Sequence, residues 1–294
     1  MATLSANRYG KDLVRVVRVT RNGPVHDIKD VAVRVLLEGG KLETSYYNGD
    51  NSWVVPTDTI KNTVYVLAKK HPFTDIEVFG ITIARHFLNE YAHYSKAEVT
   101  ISERPWNRMV IEGKPHDHSF LPGSGEERTA VVRLARESMD APQVTSGMRN
   151  LLVMKTTGSE FVGFPKDKYT TLKEATDRIF KTTVTVEWDY VCQRKPVDYT
   201  AVYNRAKETI LHVFATTYSK AVQQTVWEMG RQIIAKNDDV KNVHFTLPNQ
   251  HNWLFDLKPF GLENNNEIFV PQADPQGYIQ GTVSRDNGPK KAAL

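Results

Sequence analysis

Two imidazoles separated by one residue, in Lys114-Pro115-His116-Asp117-His118-Ser119, come nearest to a metal-binding pattern in this 294-residue sequence. On a strand, positions i and i+2 share a face, so both rings could reach one ion. A third ligand is needed, and no further set of Cys, His or carboxylate residues stands nearby in the sequence, so a structural or loop role for His116 and His118 is the expectation. Other familiar chemistries are missing. There is no Walker A loop for phosphates, no glycine-rich dinucleotide fingerprint following a strand, and no His-Glu-x-x-His zinc helix. The single cysteine, Cys192, excludes an intrachain disulfide, a paired-thiol redox centre and a cysteine metal cluster.

Charge narrows the partners. The formal net charge is +4, and Lys and Arg are interspersed with Asp and Glu instead of forming blocks. That argues against a nucleic-acid surface and leaves a modest attraction for small anions. With 24% charged and 40% hydrophobic residues, the chain is an ordinary folded protein, neither fibrous nor disordered. Neither the start Met1-Ala2-Thr3-Leu4-Ser5 nor any later run has the apolar length of a signal peptide or a membrane span, so a soluble intracellular protein is expected.

The elements that must hold any site can be read from periodicity. Val14 and Val16 alternate with Arg15 and Arg18, Asn22-Gly23 makes a turn, and Val31, Val33 and Val35 resume the two-residue period, which predicts a β-hairpin. After Pro56 the period lengthens: Ile76, Phe79, Gly80, Ile83, Phe87 and Tyr91 line one helix face, with Thr74 and Glu77 spaced as a capping box. Strands return over 97–102, 108–111 and 129–134. A second half repeats the order, with a strand over 151–154, a short helix opened by a Thr171/Glu174 capping box, and a strand over 183–186. Helices then begin near Asp198 and near Ser219, the latter with Val222, Val226, Met229 and Ile233 on one face. Strands at 243–247, 253–257 and 278–283 close the half. Strands cluster with strands and helices with helices, so the fold class is α+β: two tandem units on antiparallel sheets, 1–140 and 141–294, dividing near Ala141-Pro142.

Several segments spread over both halves resemble the urate oxidases. They are Arg8-Tyr9-Gly10-Lys11, Thr57-Asp58-Thr59-Ile60-Lys61-Asn62-Thr63, Gly113-Lys114-Pro115-His116-Asp117-His118-Ser119-Phe120, Ser159-Glu160-Phe161-Val162-Gly163-Phe164, Asp167 to Glu174 running into Asp177-Arg178-Ile179, Val222-Gln223-Gln224-Thr225, and Leu247-Pro248-Asn249-Gln250-His251. The resemblance implies the tunnelling fold, in which two such units per subunit join with partner subunits into a β-barrel. It also implies a homotetramer with active sites between subunits, urate and oxygen as substrates, and no cofactor or metal.

Residue by residue, the resemblance implies a complete site. Arg178 matches the substrate arginine, whose guanidinium meets neighbouring acceptors on an anionic purine in two-pronged fashion. Gln223 matches the glutamine that reads the purine's amide edge, and Val222 contributes its backbone N–H. If the helix starts near Ser219, that N–H lies in the first turn, where it lacks an intrahelical partner. Pro56 opening a helix would likewise free the N–H groups of Thr57 and Asp58. Phe161 matches the aromatic that stacks on the purine. Lys11, Thr57 and His251 match a proton relay, and Asn249 matches the side chain that holds oxygen or water over the ring. A lysine serves as a base near neutrality only if its site disfavours the charged form, which a neighbouring Arg178 would do. On a strand, Asn249 and His251 would share a face.

Taken without the motif, each residue has a plainer reading: Arg178 as a surface arginine near a helix end, Phe161 as core, Lys11 as solvated, His251 as structural. Two rival functions follow from the same resemblance. One is another tunnelling-fold enzyme acting on a pterin or purine-like ring, usually with metal chemistry. The other is a purine-binding homologue without turnover. The ending Lys291-Ala292-Ala293-Leu294 departs from a peroxisomal Ser-Lys-Leu, which makes the cytoplasm the expected compartment.

Overall fold

A computed structural model describes residues 2–191 and 196–286; Cys192 and the ending 287–294 lie outside the described residues. The chain divides into two compact units, one of residues up to Met148 together with Asp189–Ala201, the other of Arg149–Trp188 with Val202 onward.

The first unit opens with the expected hairpin. Strands β1 (Tyr9–Asn22) and β2 (Val25–Glu38) pair antiparallel, with Asn22 opposite Val25 across the Gly23-Pro24 turn. Gly23 sits at φ +61°, a left-handed conformation that glycine adopts without steric cost. The alternating valines predicted this pairing, and Val14, Val16, Val31, Val33 and Val35 are all buried on one face. Helices α1 (Glu43–Asn48), α2 (Thr57–Lys70) and α3 (Ile76–Glu90) follow, then strands β3 (Lys96–Arg104), β4 (Trp106–Ile111), β5 (Lys114–Pro122) and β6 (Glu127–Ala135). The sheet order is β1-β2-β3-β6, while β4 and β5 pair separately as a two-stranded ribbon. Helix α3 packs on β3 and β6, burying Ile76, Phe79, Ile83 and Phe87 in the same core as Val99, Ile101 and Val132. Each such side chain contributes about 1.5–3 kcal/mol through removal from water.

The Thr74/Glu77 capping box does not form. Asp75 is the N-cap of α3, with no side-chain capping bond. Glu77 instead turns inward, fully buried, where its carboxylate meets Arg128 Nη2 at 2.7 Å and accepts the Ser146 hydroxyl at 2.6 Å. A carboxylate removed from water gains more from a guanidinium and a hydroxyl than from one backbone amide.

The second unit takes up β7 (Gln143–Lys155) from Arg149 onward. It continues through β8 (Phe180–Tyr190), α4 (Tyr199–Thr216), α5 (Val222–Lys236), β9 (Val240–Leu254) and β10 (Phe269–Ser284), in the sheet order β7-β8-β9-β10. Helix α5 packs on β9 and β10 with Val222, Val226, Met229 and Ile233 buried, the face its spacing predicted. The approach is close at Gly230, where a β-carbon would stand 2.5 Å from Val283 Cγ2.

Three expectations are corrected here. Residues 165–178 form no helix, because the Glu174 carboxylate pairs with Lys166 at 3.2 Å and accepts from the Gly163 amide, leaving no capping box with Thr171. Helix α5 starts at Val222, later than Ser219, because the Ser219 backbone is engaged in a parallel bridge with Ser159. The separate strands at 243–247 and 253–257 are one strand, β9, which runs unbroken through Pro248 and ends at Leu254.

Candidate functional site

Lys11, Thr57 and Asp58 stand in the first unit, held by a bulge and a helix start. The β1–β2 register slips between Lys11 and Val14, with Leu13 at φ +54°. Beside the bulge, a β-carbon on Gly10 would fall 1.7 Å from the Val35 carbonyl oxygen, so only glycine allows β1 this close to β2. Pro56 is the N-cap of α2 and makes no side-chain capping bond, so Thr57 and Asp58 occupy the first turn, where backbone N–H groups lack intrahelical acceptors. The Asp58 carboxyl is held below its ordinary range, first by the hydrogen bond from Lys61 at 2.5 Å and in smaller part by the charge of Lys11.

The remaining predicted residues stand in the second unit. Arg178 is half-buried, and its guanidinium carbon lies 5.3 Å from the centroid of the Phe161 ring. Phe161 is pinned by reciprocal backbone bonds with Ala175 and stacks on Phe164 at 5.0 Å. Burial lowers the pKa of Arg178, and among the described residues no carboxylate pairs with it. A guanidinium desolvated in this way without an acidic partner favours an anion from solution.

Strand β9 carries Asn249 and His251 on alternate positions, as expected. Asn249 is buried, and its carboxamide makes no hydrogen bond to any described residue. Opposite it the β10 register slips between Gln272 and Gly277, and Gly277 faces Asn249 with a hypothetical β-carbon 3.5 Å from that of Asn249. The His251 pKa is depressed, first by burial and then by the positive charge of Arg178, which puts the two side chains in one electrostatic environment. Val222 and Gln223 are the first two residues of α5, whose N-cap, Ala221, has no side-chain acceptor to occupy the first-turn amides. The Gln223 side chain is exposed and also makes no hydrogen bond to a described residue.

Arg178 is at no helix end, and the Phe161 ring is only half-buried, with a cation over its face.

Elsewhere the His116 and His118 rings lie 4.7 Å apart, with His26 of β2 5.9 Å from His118. Among the described residues, no three His, Cys, Asp or Glu side chains are grouped to hold a metal ion. A depression of about 460 Å³ between the end of β7 and the end of α4 is lined by Lys155, Gly158, Thr217 and Tyr218, and by none of the predicted site residues. Lys155, which the sequence reading passed over, donates to the Thr217 carbonyl at 2.8 Å and so satisfies the C-terminal end of α4. Tyr9 and Ser159 were also missed as individuals, although each falls inside a segment that carried the resemblance.

Two units, each with two sheet strands before its helices and two after, the second bearing a guanidinium against an aromatic face with no carboxylate partner among the described residues, define a tunnelling-fold protein. The family model described as uricase matches residues 7–133 and 144–280. A uricase of Dictyostelium discoideum is 43% identical over 290 residues, covering 98% of this chain and 99% of that protein. One from Aspergillus flavus is 41% identical over 302 residues, covering 98% of each. The crystal structure of the uricase from Arthrobacter globiformis superposes with a TM-score of 0.90 at 40% identity, covering 99% of this chain and 97% of that one. The chain belongs to the uricase family. No helix among the described residues is long and apolar enough to cross a membrane.

Proposed function

We propose that this chain oxidises urate with molecular oxygen and water to 5-hydroxyisourate and hydrogen peroxide, with no bound cofactor. The observation that carries the proposal is the half-buried Arg178 guanidinium, without a carboxylate among the described residues, over the ring of Phe161. In this reading Arg178 grips the anionic purine in two-pronged fashion, Phe161 stacks on its face, and Gln223 with the Val222 amide reads its edge. Asn249 holds oxygen or water over the ring. Lys11, Thr57 and His251 relay protons, with Asp58 beside them contributing its first-turn amide to the ligand. Loss of one proton makes the purine electron-rich enough to give two electrons to oxygen, and water then adds its hydroxyl at C5.

The tandem units, 1–140 and 141–294, are proposed as repeats of one plan, supported by their shared element order. The active assembly is proposed to be a homotetramer in which the Lys11, Thr57 and Asp58 half-site of one subunit completes the other half-site of its neighbour. Exposed apolar residues on the outermost strands, Leu13, Val17 and Val19 on β1 with Val270 and Tyr278 on β10, support burial against further copies.

The direct test follows loss of urate absorbance and release of peroxide in buffer containing a chelator. Turnover abolished by the chelator and restored by a metal would overturn the cofactor-free reading; urate binding without peroxide would leave a non-catalytic homologue.

A further inference from the structure

Ser159 is fully buried, a small polar residue with no chemistry of its own, yet it joins Arg178 to the segment that leads into α5. Its hydroxyl oxygen accepts from Arg178 Nε at 3.4 Å, and its carbonyl accepts the Arg178 backbone N–H at 2.9 Å. Its backbone forms a parallel bridge with Ser219: the Ser219 amide donates to the Gly158 carbonyl and the Glu160 amide to the Ser219 carbonyl, each at 2.9 Å. Ser219 is buried as well. Its hydroxyl lies 2.8 Å from that of Thr225 and donates to the carbonyl of Ala221 at 3.1 Å, which ties it to the first turn of α5. Phe161 follows on the same segment.

We propose that Ser159 is a positioning residue for urate binding: by holding Arg178 at Nε it turns the two terminal guanidinium nitrogens toward the ligand, in register with Phe161 and with the start of α5. This rests on the reading of Arg178 as the substrate arginine. A guanidinium offers its fork of donors in a fixed plane, so fixing Nε fixes the direction of the remaining four N–H bonds. Bidentate recognition is sensitive to that direction, whereas a lysine ammonium, a point charge on a flexible stem, is not. The hydroxyl of Ser159 therefore matters only while residue 178 is arginine.

The experiment is a double-mutant cycle read as urate affinity, measured by equilibrium dialysis without oxygen so that turnover does not intervene. Ser159→Ala in the otherwise natural protein is expected to weaken binding about fivefold to tenfold. In an Arg178→Lys background, which has no Nε, the same change is expected to alter affinity less than about twofold. Ser159→Cys, close in volume and a poor acceptor, repeats the test if the alanine variant does not fold, and is expected to behave as Ser159→Ala. Equal losses in both backgrounds would show that Ser159 acts through general packing and would overturn the proposal. Natural affinity in Ser159→Ala or Ser159→Cys, with Arg178→Lys impaired, would overturn it while leaving the substrate arginine in place. Unchanged affinity in Arg178→Lys itself would remove the reading of Arg178 on which the proposal stands.

Discussion

The hydroxyl of Tyr9, two residues before Lys11, donates to the main-chain carbonyl of Val55, two residues before Thr57, at 3.1 Å. The Tyr94 hydroxyl closes the contact: it meets that of Tyr9 and accepts the Val55 amide at 3.1 Å. Burial and the Tyr94 hydroxyl push the Tyr9 pKa well above the usual phenol range, so the group stays protonated and remains a donor. One phenol thus links the strand that carries the proposed base to the start of the helix that carries the proposed hydroxyl relay.

Tyr9→Phe removes that link while keeping the ring. Leaving the Val55 carbonyl unpaired is expected to cost about 1–3 kcal/mol in urea unfolding. Turnover is expected to fall further than urate affinity, by up to about a hundredfold, because the relay is misplaced while the groups of the second half-site are untouched. Equal turnover in the variant and the natural protein would show that Lys11 and Thr57 do not depend on this contact for their geometry.

The pH response follows from His251. Burial first, and the charge of Arg178 second, hold its pKa below the ordinary histidine value of about 6.5. The fold therefore favours the neutral ring. The stability this contributes is present above the unfolded pKa and is lost as pH falls through the depressed folded value. If His251 works as a neutral relay, the acid limb of kcat/KM should lie below pH 6.5. Arg178→Gln should raise the His251 titration midpoint, read from its ring proton in NMR, and weaken urate binding by at least about tenfold. A midpoint that stays put or moves down would mean that the two side chains do not share one electrostatic environment.

How far the sequence could be read depended on which interaction decides each element. The β1–β2 hairpin and the buried face of α5 were legible because burial alone decides them, and burial writes a period of two or of three to four residues. Capping boxes were misleading. Thr74/Glu77 and Thr171/Glu174 have the right spacing, but Glu77 is claimed by Arg128 and Glu174 by Lys166, partners distant enough in the chain or weak enough as a pattern to leave no local trace. Pro248 hid the continuity of β9 because proline ordinarily interrupts a sheet. The residues proposed to carry the chemistry, Arg178, Phe161, Asn249 and His251, were named through resemblance and not through spacing. Ser159, Tyr9 and Lys155 make individual contacts to backbone or to a neighbouring side chain, for which no residue pattern exists.

The Glu77–Arg128 pair offers a test of the first unit's core. Both side chains are almost completely removed from water, and Arg128 also reaches Asp75 at 3.4 Å and Thr200 at 3.0 Å. Arg128→Ala leaves the Glu77 carboxylate buried without its guanidinium, held by the Ser146 hydroxyl and its own backbone amide. A loss of about 3–5 kcal/mol in denaturant midpoint analysis is expected, and adding Glu77→Gln to that variant should recover part of it by removing the stranded charge. A double variant less stable than Arg128→Ala would show that the carboxylate is satisfied by other means.

The start of α5 sets stability against binding. Ala221 is the N-cap, in the extended conformation at φ −163° and ψ 158° that capping residues adopt, but it has no oxygen to offer. Ala221→Asp supplies one. Its carboxylate would accept from the amides of Gln223 or Gln224 and meet the positive end of the helix dipole, which should stabilise the protein by about 0.5–2 kcal/mol. The same carboxylate stands where the proposed anion approaches the Val222 amide, so it competes for that potential and repels the purine. Thermal unfolding is therefore expected to move up while the KM for urate rises by about tenfold or more, with Ala221→Ser, uncharged, showing the stabilisation and a smaller rise. A higher unfolding temperature with KM unchanged in Ala221→Asp would mean that the first turn of α5 does not face the substrate.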